Sequence, residues 1–186
     1  MKTLRLICLA LSFTALAAEA NAQIIVQGKG DAVLCYKYSA RGNTGSLIAI
    51  RTCSDALNQG LSTKDKAATF VNRGILFMRR GDHEKASKDY RAAIDIKPDL
   101  TAAYVNYGAA LIREGNLEVA LKKLNIALED LDSETRPEAL YNRAIIFDRQ
   151  ENFRDAYFDL KAALALRPDW EAALSLIGRY EVSKAG

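Results

Sequence analysis

The sequence predicts an all-α fold, an α-solenoid of stacked helical hairpins that ends in a capping helix. The first observation is a segment of 34 residues, 67–100, which recurs at 101–134 and, after two inserted residues, at 137–170. The second is that large and small residues occupy the same places in every copy. The third is the repeat length, because about 34 residues form two helices that cannot bury their apolar faces alone. Neighbouring pairs must therefore stack in series, which creates an extended concave surface.

The packing pattern emerges when residues are counted from the start of each copy. Small residues at positions eight, twenty and twenty-seven allow two helix backbones to approach closely, and bulky residues fill the space beside them. The small set is Gly74, Gly108 and Ala144, then Ala86, Ala120 and Ala156, then Ala93, Ala127 and Ala163. The bulky set is Phe70, Tyr104 and Leu140, then Phe77, Leu111 and Phe147, then Tyr90, Leu124 and Leu160.

This pattern resembles the tetratricopeptide repeat family, and the resemblance covers residues 67–170. It implies a right-handed solenoid in which the first helix of each copy lines the concave side. The second copy departs from the family pattern, because Asp132 stands in place of the helix-ending proline found at Pro98 and Pro168. The third copy lacks glycine at Ala144 and Glu151. We expect the turn between copies two and three, which also contains the two inserted residues, to be reshaped.

The segments that flank the three copies continue the helical pattern. Residues 171–186 begin like another first helix without a second one, so we expect a capping helix from Glu171 to about Val182 and then a tail. The N-terminal segment, 23–66, contains a degenerate first repeat at 30–66.

Two helices are expected in this degenerate repeat. Asp31 can cap a helix that runs to Ala40, and Ser46–Gln59 has small residues spaced as in a second helix. The first of them has an alternative, because four of its residues also fit a short strand, namely Val33, Leu34, Tyr36 and Tyr38.

Residues 1–22 have the features of a signal peptide. Lys2 and Arg5 precede an apolar run of thirteen residues, and Ala20-Asn21-Ala22 has the form of a signal-peptidase site. The run is shorter than the roughly 20 residues that a membrane-spanning helix needs. We therefore expect cleavage near Ala22 and a periplasmic or secreted protein.

The predicted export determines how we interpret the two cysteines outside the leader. In an oxidising compartment, Cys35 and Cys53 are expected to form a disulfide that joins the two helices of the degenerate repeat. A redox-active dithiol is the alternative. Such motifs usually place about two residues between their cysteines, and seventeen lie between these.

Nothing in the sequence supports catalysis. Its only histidine, His83, stands where the other copies have Leu117 and Phe153, so we expect its ring to pack beside a turn. There is no glycine-rich phosphate loop and no ligand set for a metal. The net charge of +3, with both signs interspersed, gives no basic stripe for nucleic acid. We expect no enzyme activity, no cofactor, no nucleic acid partner and no membrane span.

The first helix of each copy carries the candidate binding residues. Positions two, six, nine and thirteen share one helix face, which the family resemblance places on the concave side. Position six is always asparagine (Asn72, Asn106, Asn142) and position thirteen is always arginine (Arg79, Arg113, Arg149). An amide both donates and accepts, so a row of asparagines can pair with the main chain of an extended peptide. Arginines favour carboxylates, such as an acidic side chain or a free C-terminus.

Apolar residues are expected to form the floor of this groove: Val71, Val105, Tyr141, Ile75, Ala109 and Ile145. We predict a noncatalytic protein-interaction module that binds a peptide segment of another envelope protein in the groove. One alternative is a scaffold or self-assembling component of an envelope complex. In another, the asparagines serve local packing and the arginines are solvated helix ends. The two-carboxylate clamp of some family members is not supported, because it needs polar residues at Val71 and Ile75.

Overall fold

The structure, a computed structural model, describes residues 5–8, 24–26, 30–41 and 46–183, with backbone alone for 5–8 and 181–183. Apart from Arg5–Cys8, the expected signal peptide and its cleavage site near Ala22 lie outside the described residues. The same is true of residues 42–45, which include the expected end of the first helix, and of the last three residues.

Paired helices make up almost all of the described part, which confirms the predicted α-solenoid. The helices are α1 (Asp31–Ala40), α2 (Leu47–Leu57), α3 (Thr63–Arg80), α4 (His83–Ile96), α5 (Thr101–Arg113), α6 (Leu117–Glu129), α7 (Arg136–Arg149), α8 (Phe153–Leu166) and α9 (Glu171–Ile177). Two short strands, β1 (Arg5–Cys8) and β2 (Tyr180–Ser183), pair antiparallel.

The hairpins stack in series, with one main core from α3 to α9 and two smaller clusters where α1 and α2 meet α3. Each helix packs on the next along the chain, and the first helices also touch in a row, α1 on α3, α3 on α5 and α5 on α7. Successive second helices approach one another less closely. The first helices therefore form the inner layer of the solenoid, and the second helices form the outer layer.

In the hairpins α3/α4 and α5/α6, a glycine on the first helix faces a bulky residue on the second. A Cβ atom added at Gly74 would collide with the fully buried ring of Tyr90. At Gly108 it would lie 2.7 Å from the Cγ atom of Leu124. These contacts explain why position eight is glycine in the first two copies.

The turns inside the hairpins need a left-handed residue. Gly81 and Gly115 adopt φ angles of 83° and 80°, and in the third copy Glu151 takes the same region with φ of 59°. A side chain in this region is strained by roughly 1 kcal/mol, which the surrounding helices must offset. The turn between α6 and α7 differs from the others, because the inserted Arg136 donates a hydrogen bond of 2.8 Å to the carbonyl of Leu128.

The degenerate first repeat folds as two helices, which settles the choice between helix and strand for its first element. Cys35 and Cys53 are joined by a disulfide between α1 and α2, and both are fully buried. The predicted cap at Asp31 is wrong, because Gly30 precedes the helix. The Asp31 carboxylate instead accepts a hydrogen bond of 2.7 Å from the amide of Gln59 at the end of α2.

The capping helix is shorter than predicted. It ends at Ile177 instead of near Val182, and residues 180–183 form β2. Its Ala173 and Leu176 are buried against the last hairpin. Asp148 of α7 accepts hydrogen bonds from Arg179 and from the Tyr180 hydroxyl, so the chain beyond α9 is tied back to the array. These contacts, which join residues about thirty positions apart, end the helix early.

Two hairpins carry a bidentate ion pair between their helices. Arg73 donates two hydrogen bonds of 2.7 Å to Asp89, and Arg143 binds Asp159 in the same way. Burial raises the pKa of the Asp89 carboxyl even though Arg73 opposes the shift. The pair therefore carries a desolvation cost, and its main effect is to set the geometry of the hairpin.

Replacing Gly74 by valine is expected to lower the free energy of unfolding by about 1–3 kcal/mol, because the added bulk displaces the buried Tyr90 ring. Urea unfolding followed by circular dichroism measures the loss. Gly60→Val is the control, since a Cβ there meets nothing within 4 Å. Equal effects of the two substitutions would contradict the close helix approach.

Replacing Arg73 by leucine should lower the free energy of unfolding by about 3–5 kcal/mol, because Asp89 is left buried without its partner. The double variant Arg73→Leu/Asp89→Leu should recover most of this loss. Thermal and urea unfolding of the two variants provide the comparison. A single substitution that is harmless would show that the ion pair contributes nothing to the hairpin.

Candidate functional site

The three asparagines of position six lie on the inner helices α3, α5 and α7, as the repeat register predicts. Each side chain is buried, with Asn72 and Asn142 at 0% and Asn106 at 2% exposure. A buried amide must find hydrogen-bond partners or destabilise the fold. Their partners therefore show what these residues do.

Asn72 binds the main chain of a distant segment. Its Nδ2 donates a hydrogen bond of 3.0 Å to the carbonyl of Ile24, and its Oδ1 accepts one of 3.5 Å from the amide N–H of Ile24. The two residues are 48 positions apart. One asparagine thus satisfies both main-chain groups of a single residue in a segment that belongs to no helix or strand.

The segment 24–26 alternates between inward and outward side chains. Ile24 packs against the main core, and Val26 is 5% exposed in a cluster with Ala32, Ala56 and Ala68. Ile25 between them is 63% exposed. This alternation is typical of an extended chain. The inner face of the array therefore holds a non-helical segment of its own chain beside α3.

Asn142 differs from Asn72, because neither Nδ2 nor Oδ1 has a hydrogen-bond partner within the described part of the chain. The side chain is nevertheless fully buried. Two orphaned polar atoms in one buried amide are unusual, since nearly all such groups in native proteins are paired.

The arginines of position thirteen contribute to the contacts between repeats. Arg79 donates a hydrogen bond of 2.6 Å to the carbonyl of Ser39 at the end of α1. Arg149 donates one of 2.9 Å to the carbonyl of Ile112 at the end of α5. Each guanidinium therefore satisfies a carbonyl in the last turn of the preceding inner helix, where a cation is also favoured by the helix dipole. Arg113 is half-buried on α5. The sequence interpretation as a row directed only at a partner misses this structural role.

The predicted apolar floor is part of the core. None of its residues is more than 4% exposed, including Val71, Val105, Tyr141, Ile75, Ala109 and Ile145. This burial places them in the core of the described structure, and their role in lining a groove stays a prediction. The inner helices also contain buried polar groups, the three asparagines of position six.

Sequence reasoning missed Glu138, which occupies position two of the third copy on the same face of α7. Its Oε1 accepts a hydrogen bond of 2.7 Å from Arg167, and its Oε2 is buried without a partner in the described residues. The guanidinium of Arg167 lies 4.8 Å from the ring centroid of Trp170, and that ring lies 4.8 Å from the ring of Tyr141. The available signal was the register itself, since the other copies have alanine at this position, Ala68 and Ala102.

The remaining candidates form no constellation for chemistry. His83 is half-buried at the start of α4, and its Nδ1 has no partner among the described residues. Within the same residues, no three histidine, cysteine or acidic side chains gather closely enough to bind a metal ion. None of the described helices combines the length and the apolar character needed to cross a membrane.

Comparisons with known proteins agree with this architecture. A family model described as TPR repeat matches residues 74–115. Two solved structures are similar in fold, "MamA 41-end from Desulfovibrio magneticus RS-1" and "MamA RS-1 ArsTM double mutant". They are 18% and 19% identical, with TM-scores of 0.61 and 0.62, and each alignment covers 82% of this chain and 84% of the other. The comparison with curated protein sequences found no match. Residues 74–115 thus match a tetratricopeptide repeat model, and the chain shares the fold of these two structures.

Proposed function

We propose that this protein is a noncatalytic interaction module that holds an extended segment of another envelope protein against the inner face of its first helices. The tetratricopeptide repeat fold is in general an architecture for protein–protein interaction and scaffolding. The observation that carries the finer proposal is the pair of hydrogen bonds between Asn72 and the main chain of Ile24. In this contact an inner-face asparagine binds a non-helical segment of its own chain, which supports the same mode of binding for a partner.

This mode of binding depends little on the side chains of the peptide. An amide that satisfies both main-chain groups of one residue can accept many sequences, and selectivity then comes from neighbouring contacts. Such a short contact is expected to be weak, with a dissociation constant on the order of micromolar.

The envelope location is supported by two features of the chain. Residues 1–22 have the pattern of a signal peptide. The disulfide between Cys35 and Cys53 would persist in an oxidising compartment but not in a reducing one.

An acidic or C-terminal partner would have to use arginine donors that the fold does not occupy. Arg149 is exposed, and one of its five N–H groups is given to Ile112. Its remaining donors belong to an exposed side chain of an inner helix. The arginines can therefore add affinity for carboxylates there, while the asparagines bind the main chain.

Photocrosslinking in intact cells tests whether the inner face is the working surface. We expect Arg113→benzoylphenylalanine, on α5, to form an adduct with an envelope protein through one short segment of that protein, as mass spectrometry of the adduct would show. Phe158→benzoylphenylalanine is the matched control, because Phe158 is 47% exposed on the outer helix α8. Circular dichroism would confirm that both variants fold.

Adducts formed only from position 158 would place the working surface on the outer helices. An adduct with a second copy of the same chain would support the alternative of a self-assembling scaffold. Either result would contradict the proposed function.

A further inference from the structure

Two side chains on the inner face of α7 have buried polar atoms without partners in the described part of the chain. They are Glu138, through Oε2, and Asn142, through both amide atoms. The residues are four positions apart, so they lie one helical turn from each other on the same face. An unpaired buried polar atom destabilises a protein, and a ligand that supplies the missing partner removes this cost.

The first of the three 34-residue copies, 67–100, shows what such a face binds. Asn142 occupies the position of Asn72, and Glu138 occupies that of Ala68, seventy residues earlier in each case. Asn72 binds the main chain of Ile24, and Ala68 lies in one cluster with Val26. A segment bound to α7 in the same way would therefore place its main chain on Asn142. The side chain two residues further on would lie beside Glu138.

The chemistry of Glu138 determines which side chain fits there. Its Oε2 is an acceptor and lacks a donor, whereas the corresponding Ala68 is apolar and packs near Val26. A lysine or arginine would supply the missing N–H group in a charge-assisted hydrogen bond. An acidic or apolar side chain would leave Oε2 unpaired.

Glu138 is held in place from its other side. Arg167 donates a hydrogen bond to Oε1 and lies over the ring of Trp170. Trp170 in turn packs at a tilt against Tyr141, the residue before Asn142. The first copy has Lys97 and Leu100 at the positions of Arg167 and Trp170, so this support is particular to the third repeat. It fixes the orientation of the carboxylate before any ligand arrives.

We infer that the third repeat contains a peptide-binding site in which Asn142 binds the main chain of an extended segment and Glu138 binds a basic side chain two residues after it. This inference rests on the proposed function and adds the repeat and the partner chemistry. Because the Asn142 amide is fully buried, a binding segment must first displace the side chains that cover it. We therefore expect an association rate constant below about 10⁵ M⁻¹s⁻¹.

Thermal unfolding of two matched variants tests whether Asn142 is reserved for a ligand. Asn72→Leu should lower the melting temperature by about 5 °C, because it breaks the hydrogen bonds to Ile24. Asn142→Leu should leave it unchanged or raise it, because it removes two unpaired atoms. A loss in Asn142→Leu as large as that in Asn72→Leu would make Asn142 a structural residue and overturn the inference.

Peptide binding to the purified full chain tests the chemistry. The probes are an acetylated, amidated peptide with the sequence of residues 23–29, QIIVQGK, and its Val26→Lys version. The signal is the fluorescence of Trp170, the only tryptophan, which adjoins the site. We expect the Val26→Lys peptide to bind about tenfold more tightly than the parent peptide.

Two variants assign this preference to its residues. Glu138→Gln should remove the preference, and Asn142→Leu should abolish the binding of both peptides. Glu118→Gln is the control, because Glu118 is an exposed carboxylate on the outer helix α6 paired with Lys122.

Absence of binding, binding that survives Asn142→Leu, or a lysine preference that survives Glu138→Gln would each overturn the inference. The proposed function would stand in those cases if crosslinking from position 113 still captured a partner segment. Crosslinking from position 113 therefore tests the proposed function, and peptide binding tests the third-repeat site, so either result can fail without the other.

Discussion

The structure depends on the close approach of the two helices in each hairpin, which a small residue opposite a bulky one makes possible. Gly74 admits the ring of Tyr90, Gly108 admits Leu124, and Ala144 stands at the same position in the third copy. Because each hairpin closes in the same way, successive hairpins present similar surfaces to one another and stack in series. The row of inner helices, and hence the whole candidate site, follows from this repeated contact.

The inner helices combine an apolar core with a few buried polar side chains, and their partners differ between repeats. In the first 34-residue copy, 67–100, the chain itself supplies the hydrogen-bond partner, because the main chain of Ile24 binds Asn72. In the third, Asn142 and Glu138 keep unpaired atoms among the described residues, and an aromatic and cationic cluster holds Glu138. Repeats of one pattern therefore give one face two roles, with self-contact at one end and candidate recognition at the other.

Much of the fold could be predicted because its pattern is local. Register, helix pairing and the second helix of the degenerate repeat follow from spacing along the chain, and the disulfide follows from the predicted export together with the two cysteines outside the leader. The short α9 could not be predicted, because Asp148 anchors residues more than thirty positions away. The same reason hid the contact of Ile24 with Asn72. Periodicity shows which residues share a helix face, but it does not show which segment covers that face, as the buried floor and the structural roles of Arg79 and Arg149 illustrate.

The disulfide affects how the two ends of the array open. In a linear stack each unit is held only by its neighbours, so the terminal units fray first. The covalent bond between Cys35 and Cys53 keeps the first hairpin closed even when its weaker core loosens. The described part of the opposite end is held by noncovalent contacts alone, namely those of the seven-residue α9, of Asp148 and of β2 with β1. Spontaneous opening in an oxidised molecule should therefore start at the carboxyl end, next to the repeat that carries Glu138 and Asn142.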